Sequence, residues 1–300
     1  MDQARAELDP SREATRGVLA LAVAFTTWGV LPLYLRLLRA VPPLQITAHR
    51  VLFCCVFVLG FLRARGALYE VRAALADPPV RRRLIASSVL IAINWLVFVW
   101  AISNDRVVEA SLGYYINPLV NVVLGVVVLR EQLRRIQWLA VGAAAVGVSY
   151  LTWYAGAPPW IALTLALSFG SYGLIRKTVA VDSMAGLAAE TLLTLPIAAG
   201  YLAFCELRGD GAFRHGDPFT LLLLALSGGL TMIPLWLFAY GARRVRLATV
   251  GLLQYIGPTL SLGFGIWIFG EPFPPARALG FLAIWTGLVL YAVDSLRQRP

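Results

Sequence analysis

The chain has 300 residues, 59% of them hydrophobic and 14% charged, with a mean hydropathy of +0.73. Soluble domains carry about 25% charged residues, so a soluble globule with this composition is excluded. Lys and Arg number 26 against 16 Asp and Glu, a net charge of +10, and there are two His and three Cys. That is too few for a clustered metal framework or a disulfide-stapled fold, and Cys54 and Cys55, adjacent in an apolar run, read as buried, reduced packing residues.

A membrane-crossing helix needs about 20 mostly apolar residues. Residues 1–16 read as a short disordered cytoplasmic tail. Ten apolar stretches follow at 17–35, 44–62, 84–103, 110–129, 136–153, 159–175, 185–205, 219–240, 247–269 and 276–294, and residues 295–300 form a second tail. The expected fold class is therefore all-α integral membrane. A charged segment precedes the first stretch, which argues against a cleavable signal peptide. The 63–83 connection sets Tyr69, Val71 and Leu75 among arginines, the pattern of a small helix lying at the membrane surface. The breaks carry turn chemistry, as at Val41-Pro42-Pro43, Asp77-Pro78-Pro79, Ala157-Pro158-Pro159 and Pro272-Phe273-Pro274-Pro275.

With the N-terminus inside, 19 of the 26 basic residues fall on cytoplasmic segments and six on the opposite side, and Arg50 alone lies within a span. This bias predicts two cytoplasmic termini in the inner membrane. It also assigns the surplus charge to many short loops beside anionic lipid, so no nucleic-acid partner is expected.

The chain repeats itself. Tyr115-Ile116-Asn117-Pro118 recurs as Tyr255-Ile256-Gly257-Pro258, 140 residues later, and the same offset relates Arg106 to Arg246, Glu131 to Glu271 and Gly147 to Gly287. An offset of 144 relates Phe25-Thr26-Thr27-Trp28-Gly29 to Phe169-Gly170-Ser171-Tyr172-Gly173. Two halves of five helices follow, 17–153 and 159–294. Because five is odd, the second half must enter the membrane upside down, the duplication found in secondary transporters.

The string Glu109-Ala110-Ser111-Leu112-Gly113-Tyr114-Tyr115-Ile116-Asn117-Pro118-Leu119 resembles the EamA type of the drug/metabolite transporter superfamily, specifically its bacterial RarD family. So do His49-Arg50, Asn94-Trp95, Tyr172-Gly173-Leu174-Ile175-Arg176-Lys177, Glu190-Thr191 and Leu253-Gln254-Tyr255-Ile256-Gly257-Pro258-Thr259. The resemblance runs from about Gly17 to Asp294. It implies ten helices in two EamA repeats, an inner-membrane location and outward movement of small solutes, with no substrate named. One local departure is Arg130-Glu131, where such families more often have Gly-Glu; the second repeat keeps Gly270-Glu271.

An ionisable side chain at the centre of a span costs ~2.5–3.5 kcal/mol on insertion scales. His49 and Arg50 in the second span, and Glu190 in the seventh, sit about six residues into their helices, ~8–9 Å deep. They enter from opposite sides, so His49 and Glu190 should lie roughly 14 Å apart along the ~30 Å normal and not pair. Depth suggests Arg50 with Glu109 and Glu190 with Arg246 as outer and inner gates. Permanent pairing and snorkelling are the structural alternatives. His49 and Glu190 are candidate proton carriers.

Nearer the midplane, Tyr114, Tyr115, Asn117 and Asn121 on the fourth span and Gln254 and Tyr255 on the ninth are candidate substrate-binding residues, extended by Asn94 and Trp95. Pro118 and Pro258 remove the donors to the carbonyls of Tyr114 and Gln254, which then need protein, water or ligand beside them. No Walker A, GxSxG or HExxH string is present, and no enzyme activity or cofactor is expected. The sequence thus points to an alternating-access carrier of amphipathic metabolites or drug-like solutes, with proton coupling and homo-oligomer formation left open. The expected partners are a small-molecule substrate and the lipid bilayer. A non-transporting receptor or accessory subunit using the same pocket is the alternative.

Overall fold

The computed structural model describes residues 10–130, 134–155, 158–245, 250 and 253–296. Among them the chain is helical, without strands. The helices are α1 (Pro10–Leu37), α2 (Pro43–Ala64), α3 (Leu68–Ala76), α4 (Pro78–Ser103), α5 (Val107–Leu129), α6 (Arg135–Ala155), α7 (Trp160–Thr178), α8 (Ser183–Arg208), α9 (Ala212–His215), α10 (Pro218–Ala242), α11 (Ile256–Trp267) and α12 (Pro275–Leu296). Six of these, α1, α2, α4, α6, α8 and α10, are long and apolar enough to cross a membrane by length and composition.

Local chemistry sets the ends. Proline opens α2, α4, α10 and α12, where the missing N–H costs nothing. Asp182 and Asp217 cap α8 and α10 by accepting backbone N–H bonds, from Met184 at 2.8 Å and Phe219 at 2.9 Å. Gly209, with φ +83°, closes α8 in the left-handed region. The first helix begins at Pro10, earlier than the expected tail allows, and Glu13 in its first turn accepts from Arg244 at 2.8 Å. The connection after α2 does hold a short helix, α3, with Val71 and Ala74 buried and Tyr69 exposed.

Side-chain contacts show which helix ends share a face. On one, Glu13 meets Arg244, Arg83 donates to the Thr178 carbonyl, and Arg243 lies 3.9 Å from Asp182. We call this the arginine-rich face. On the opposite face, Arg36 pairs with Asp105 at 2.6 Å, Gln45 reaches Asp210, and Glu271 reaches the start of α5. Successive long helices therefore alternate in direction.

The packing recurs across the two halves. α1 packs on α10 and α11, as α7 packs on α4 and α5, and α6 packs on α12. In this last seam a Cβ on Gly147 would lie 2.7 Å from the Gly280 carbonyl oxygen, and one on Gly287 would lie 2.5 Å from that of Ala140. The two close approaches are related by the 140-residue offset in both partners. Tyr115 and Tyr255, also 140 apart, stack at 6.2 Å between centroids. One difference is that α5 runs unbroken through Pro118, whereas a turn at Tyr255 precedes α11 and Pro258.

Candidate functional site

Two adjoining spaces lie among the helices. The larger, about 740 Å³, reaches the arginine-rich face, where Arg176, Asp182 and Arg243 stand at its mouth. Phe169, Leu235 and Gln254 form a wall shared with a smaller space of about 50 Å³, which Arg50, Asn94, Trp95 and Tyr114 line. Aromatic rings surround the junction: Trp28 meets Phe25, Phe169 and Phe238 at 5.6–5.8 Å, mostly edge to face.

Toward the opposite face the site is tied shut. The Tyr34 hydroxyl donates to the Leu223 carbonyl, Gln45 Nε2 donates to the Asp210 carbonyl at 2.9 Å, and the Arg36 guanidinium covers the Phe269 ring at 4.5 Å. Glu271 accepts from the N–H groups of Val107 and Val108 at 2.6 and 2.9 Å, filling donors that the first turn of α5 leaves open. Burial of the Glu271 carboxyl raises its pKa although these two N–H groups pull it down. Every one of these contacts joins a helix or loop of the first half to one of the second.

The two buried charges have unlike surroundings. Glu190, 2% exposed, accepts from Ser87 Oγ at 2.5 Å and the Tyr172 hydroxyl at 3.4 Å, and lies 3.6 Å from Arg176 Nη1. Gly186, one turn earlier, makes this possible, since a Cβ there would fall 1.9 Å from Arg176 Nη1. Arg50, 3% exposed, donates from Nε to Thr231 Oγ1 at 3.1 Å and lies over the Trp95 ring at 5.2 Å. Its Nη1 is buried without a hydrogen-bond partner.

Of the two expected gate pairs, Arg50 with Glu109 does not form, and Glu190 with Arg246 falls partly outside the described residues. Glu109 pairs with Arg106, one turn away at the exposed start of α5, while Arg50 faces α4 and α10. Arg246 lies outside the described residues, and the Glu190 oxygens are taken by Arg176, Ser87 and Tyr172. His49 is fully buried, donates from Nδ1 to the Gln45 carbonyl at 2.8 Å, and packs on Phe213 and Phe53. It lines neither space.

Of the expected uncharged residues, Asn94, Trp95, Tyr114 and Gln254 are brought together around the smaller space. Asn94 is held by bonds to the Leu165 carbonyl and Ser168 Oγ, both 3.0 Å, and accepts from the Tyr114 hydroxyl at 3.2 Å. Tyr115 is placed elsewhere: its hydroxyl meets Thr259 Oγ1 at 2.9 Å and its ring packs on Tyr255, Phe281 and Trp285, so α5 turns its two adjacent tyrosines to different neighbours. Tyr255 belongs to that same packing. Asn117 is fully buried, its amide atoms are without hydrogen-bond partners, and it too lines neither space. The Asn121 side chain lies outside the described residues. Sequence reasoning missed Arg176, Ser87, Thr231 and Glu271 as functional groups. Arg176 was counted among orientation charges, and the recurrence of Glu131 as Glu271 was the signal that singled out the last of them.

A family model described as the EamA-like transporter family matches residues 15–153 and again 159–293. The chain is 44% identical to the "Uncharacterized transporter YojE" of Bacillus subtilis (strain 168) over 96% of this chain and 97% of that protein. It is 39% identical to "Protein RarD" of Escherichia coli (strain K12), over 95% and 97%. A solved crystal structure shares the fold with a TM-score of 0.63 at 21% identity, covering 95% of this chain and 99% of that one. Together with its apolar helices, this likeness makes the chain a multi-pass membrane protein.

Proposed function

Because the chain belongs to the EamA-like transporter family and, within it, to the RarD type, we propose that it is a ten-span carrier moving small amphipathic or aromatic solutes by alternating access. The halves 17–153 and 159–294 are inverted repeats, and the arginine-rich face is cytoplasmic in the inner membrane, with both termini on that side and net movement outward. The observation that carries this reading is a small space lined by both halves that adjoins a larger cavity, walled mainly by the second half and reaching one face, while contacts across the halves tie the other face shut. Such a state is what an inward-open carrier requires.

Asn94, Trp95, Tyr114 and Gln254, with Arg50 beneath them, form the binding site; Phe169 and Leu235 form its wall toward the cytoplasm. Glu271 on the start of α5 is the outer latch. Glu190, occupied by Arg176, Ser87 and Tyr172, is a strut and not the proton carrier.

The test is counterflow in proteoliposomes. Vesicles preloaded with unlabelled solute should transiently accumulate the labelled form, and Gln254→Ala should weaken that accumulation. A protein that binds solute yet never supports counterflow is a receptor or accessory subunit, and the carrier reading fails.

A further inference from the structure

A buried guanidinium is tolerated only when its charge is met, because the desolvation cost after relaxation is still several kcal/mol. Arg50 has one hydroxyl and one ring face, its Nη1 is unpartnered, and no carboxylate is ion-paired with it among the described residues. None of the residues lining the space it faces is acidic. In the larger cavity the one acidic lining residue is Asp182, already engaged in capping α8 and lying 3.9 Å from Arg243. The path from the arginine-rich face therefore runs past Arg176 and Arg243 to a third, unmatched arginine at its blind end.

We infer that the carried solute bears a carboxylate, which docks on Arg50 in the smaller space while an apolar or aromatic body lies against Phe169, Leu235 and Phe238. This deepens the carrier reading above and rests on it. About 50 Å³ holds a small headgroup and not a whole solute, so the body must occupy the larger cavity. A guanidinium offers two parallel N–H bonds to a carboxylate, each stronger than a neutral one. Gln254 adds an amide on the shared wall, and the Tyr114 hydroxyl, held by Asn94, adds a further polar edge. No second base lines the smaller space, so its single positive charge matches a monoanion better than a phosphate dianion.

The test uses the purified full chain and four probes with one aromatic body: 3-phenylpropanoate, its primary amide, 3-phenylpropylamine and phenyl phosphate. Binding is read by the shift in melting temperature and by tryptophan fluorescence, since Trp95 lies against Arg50. We expect the carboxylate to bind at least about tenfold more tightly than the amide, with the amine weakest. Arg50→Gln should abolish the difference between carboxylate and amide, and Arg50→Lys should keep part of it. The wild-type comparison stands even if a variant fails to fold. Equal binding of amide and carboxylate, preference for the amine or phosphate, or no shift with any arylalkanoate overturns the assignment. Carboxylate binding without counterflow overturns the carrier reading and leaves this assignment intact. Counterflow of the amide or amine at the rate of the carboxylate does the reverse.

Discussion

Arg50 and Glu190 stand 140 residues apart, at corresponding depths in α2 and α8, and are almost equally buried. Glu190 is enclosed by a counter-charge and two hydroxyls from α4 and α7; Arg50, which lines the smaller space, has one hydroxyl, an aromatic face and a buried Nη1 without a hydrogen-bond partner. Burial alone does not distinguish a structural charge from a ligand-facing one. The partner inventory does, because a fully met charge has nothing left to offer a solute.

The largest effect that could break this contrast is on stability. Glu190→Leu strands Arg176 in the interior and should cost about 3–5 kcal/mol, seen as a lower melting temperature in detergent. Arg50→Met removes a buried charge that has no counter-charge to strand, so its stability should not fall below that of wild type and should rise by up to a few kcal/mol while carboxylate binding is lost. Equal destabilisation by both would end the distinction. Replacing the pair together, Glu190→Leu with Arg176→Met, should recover most of the loss, to within about 1 kcal/mol of the native chain.

Next in size, Gly186→Ala pushes a methyl into the Arg176 guanidinium and should cost about 1–3 kcal/mol. That cost should vanish in an Arg176→Met background, a coupling that a double-mutant cycle measures. The latch proposed at Glu271 sharpens the comparison from the side of motion. Glu271→Gln weakens two charge-assisted bonds to α5, so a cysteine placed at Leu31 should react roughly tenfold faster with an impermeant thiol reagent from the opposite face. The native Cys54, Cys55 and Cys205 are buried and should give little background. Smallest is Arg130→Gly. Arg130 has φ +55° where the second repeat has Gly270 at φ +69°. Relief of that left-handed strain, less the flexibility glycine adds to the unfolded chain, should raise stability by under about 1 kcal/mol. Gly270→Ala should lower stability by about 1 kcal/mol.

The sequence made the helices legible because apolar length and proline-rich breaks are local signals. The repeat was legible because Pro, Glu and Gly recur at one offset. The departure at Arg130-Glu131 was visible as a letter change, but its meaning needed the backbone angle. Side-chain pairing was less accessible. Depth along the normal suggested Arg50 with Glu109 and Glu190 with Arg246, but it says nothing about which face of a helix a residue occupies. Arg176 sits near the end of α7, where sequence position alone groups it with loop charges. Only the gap at Gly186 on the neighbouring α8 shows that its guanidinium turns inward to Glu190. Likewise, adjacent Tyr114 and Tyr115 differ by one step of about 100° around α5, enough to send one to the cavity and the other to the α11 and α12 packing.

The seam between α6 and α12 carries a separate consequence. Its two close approaches, Gly147 on Gly280 and Gly287 on Ala140, turn into each other when the halves are exchanged. In the proposed cycle, a seam whose two contacts are so nearly interchangeable would favour neither opening strongly. It would then serve as an axle, and damage there should slow or loosen both strokes of the proposed cycle, without choosing between them.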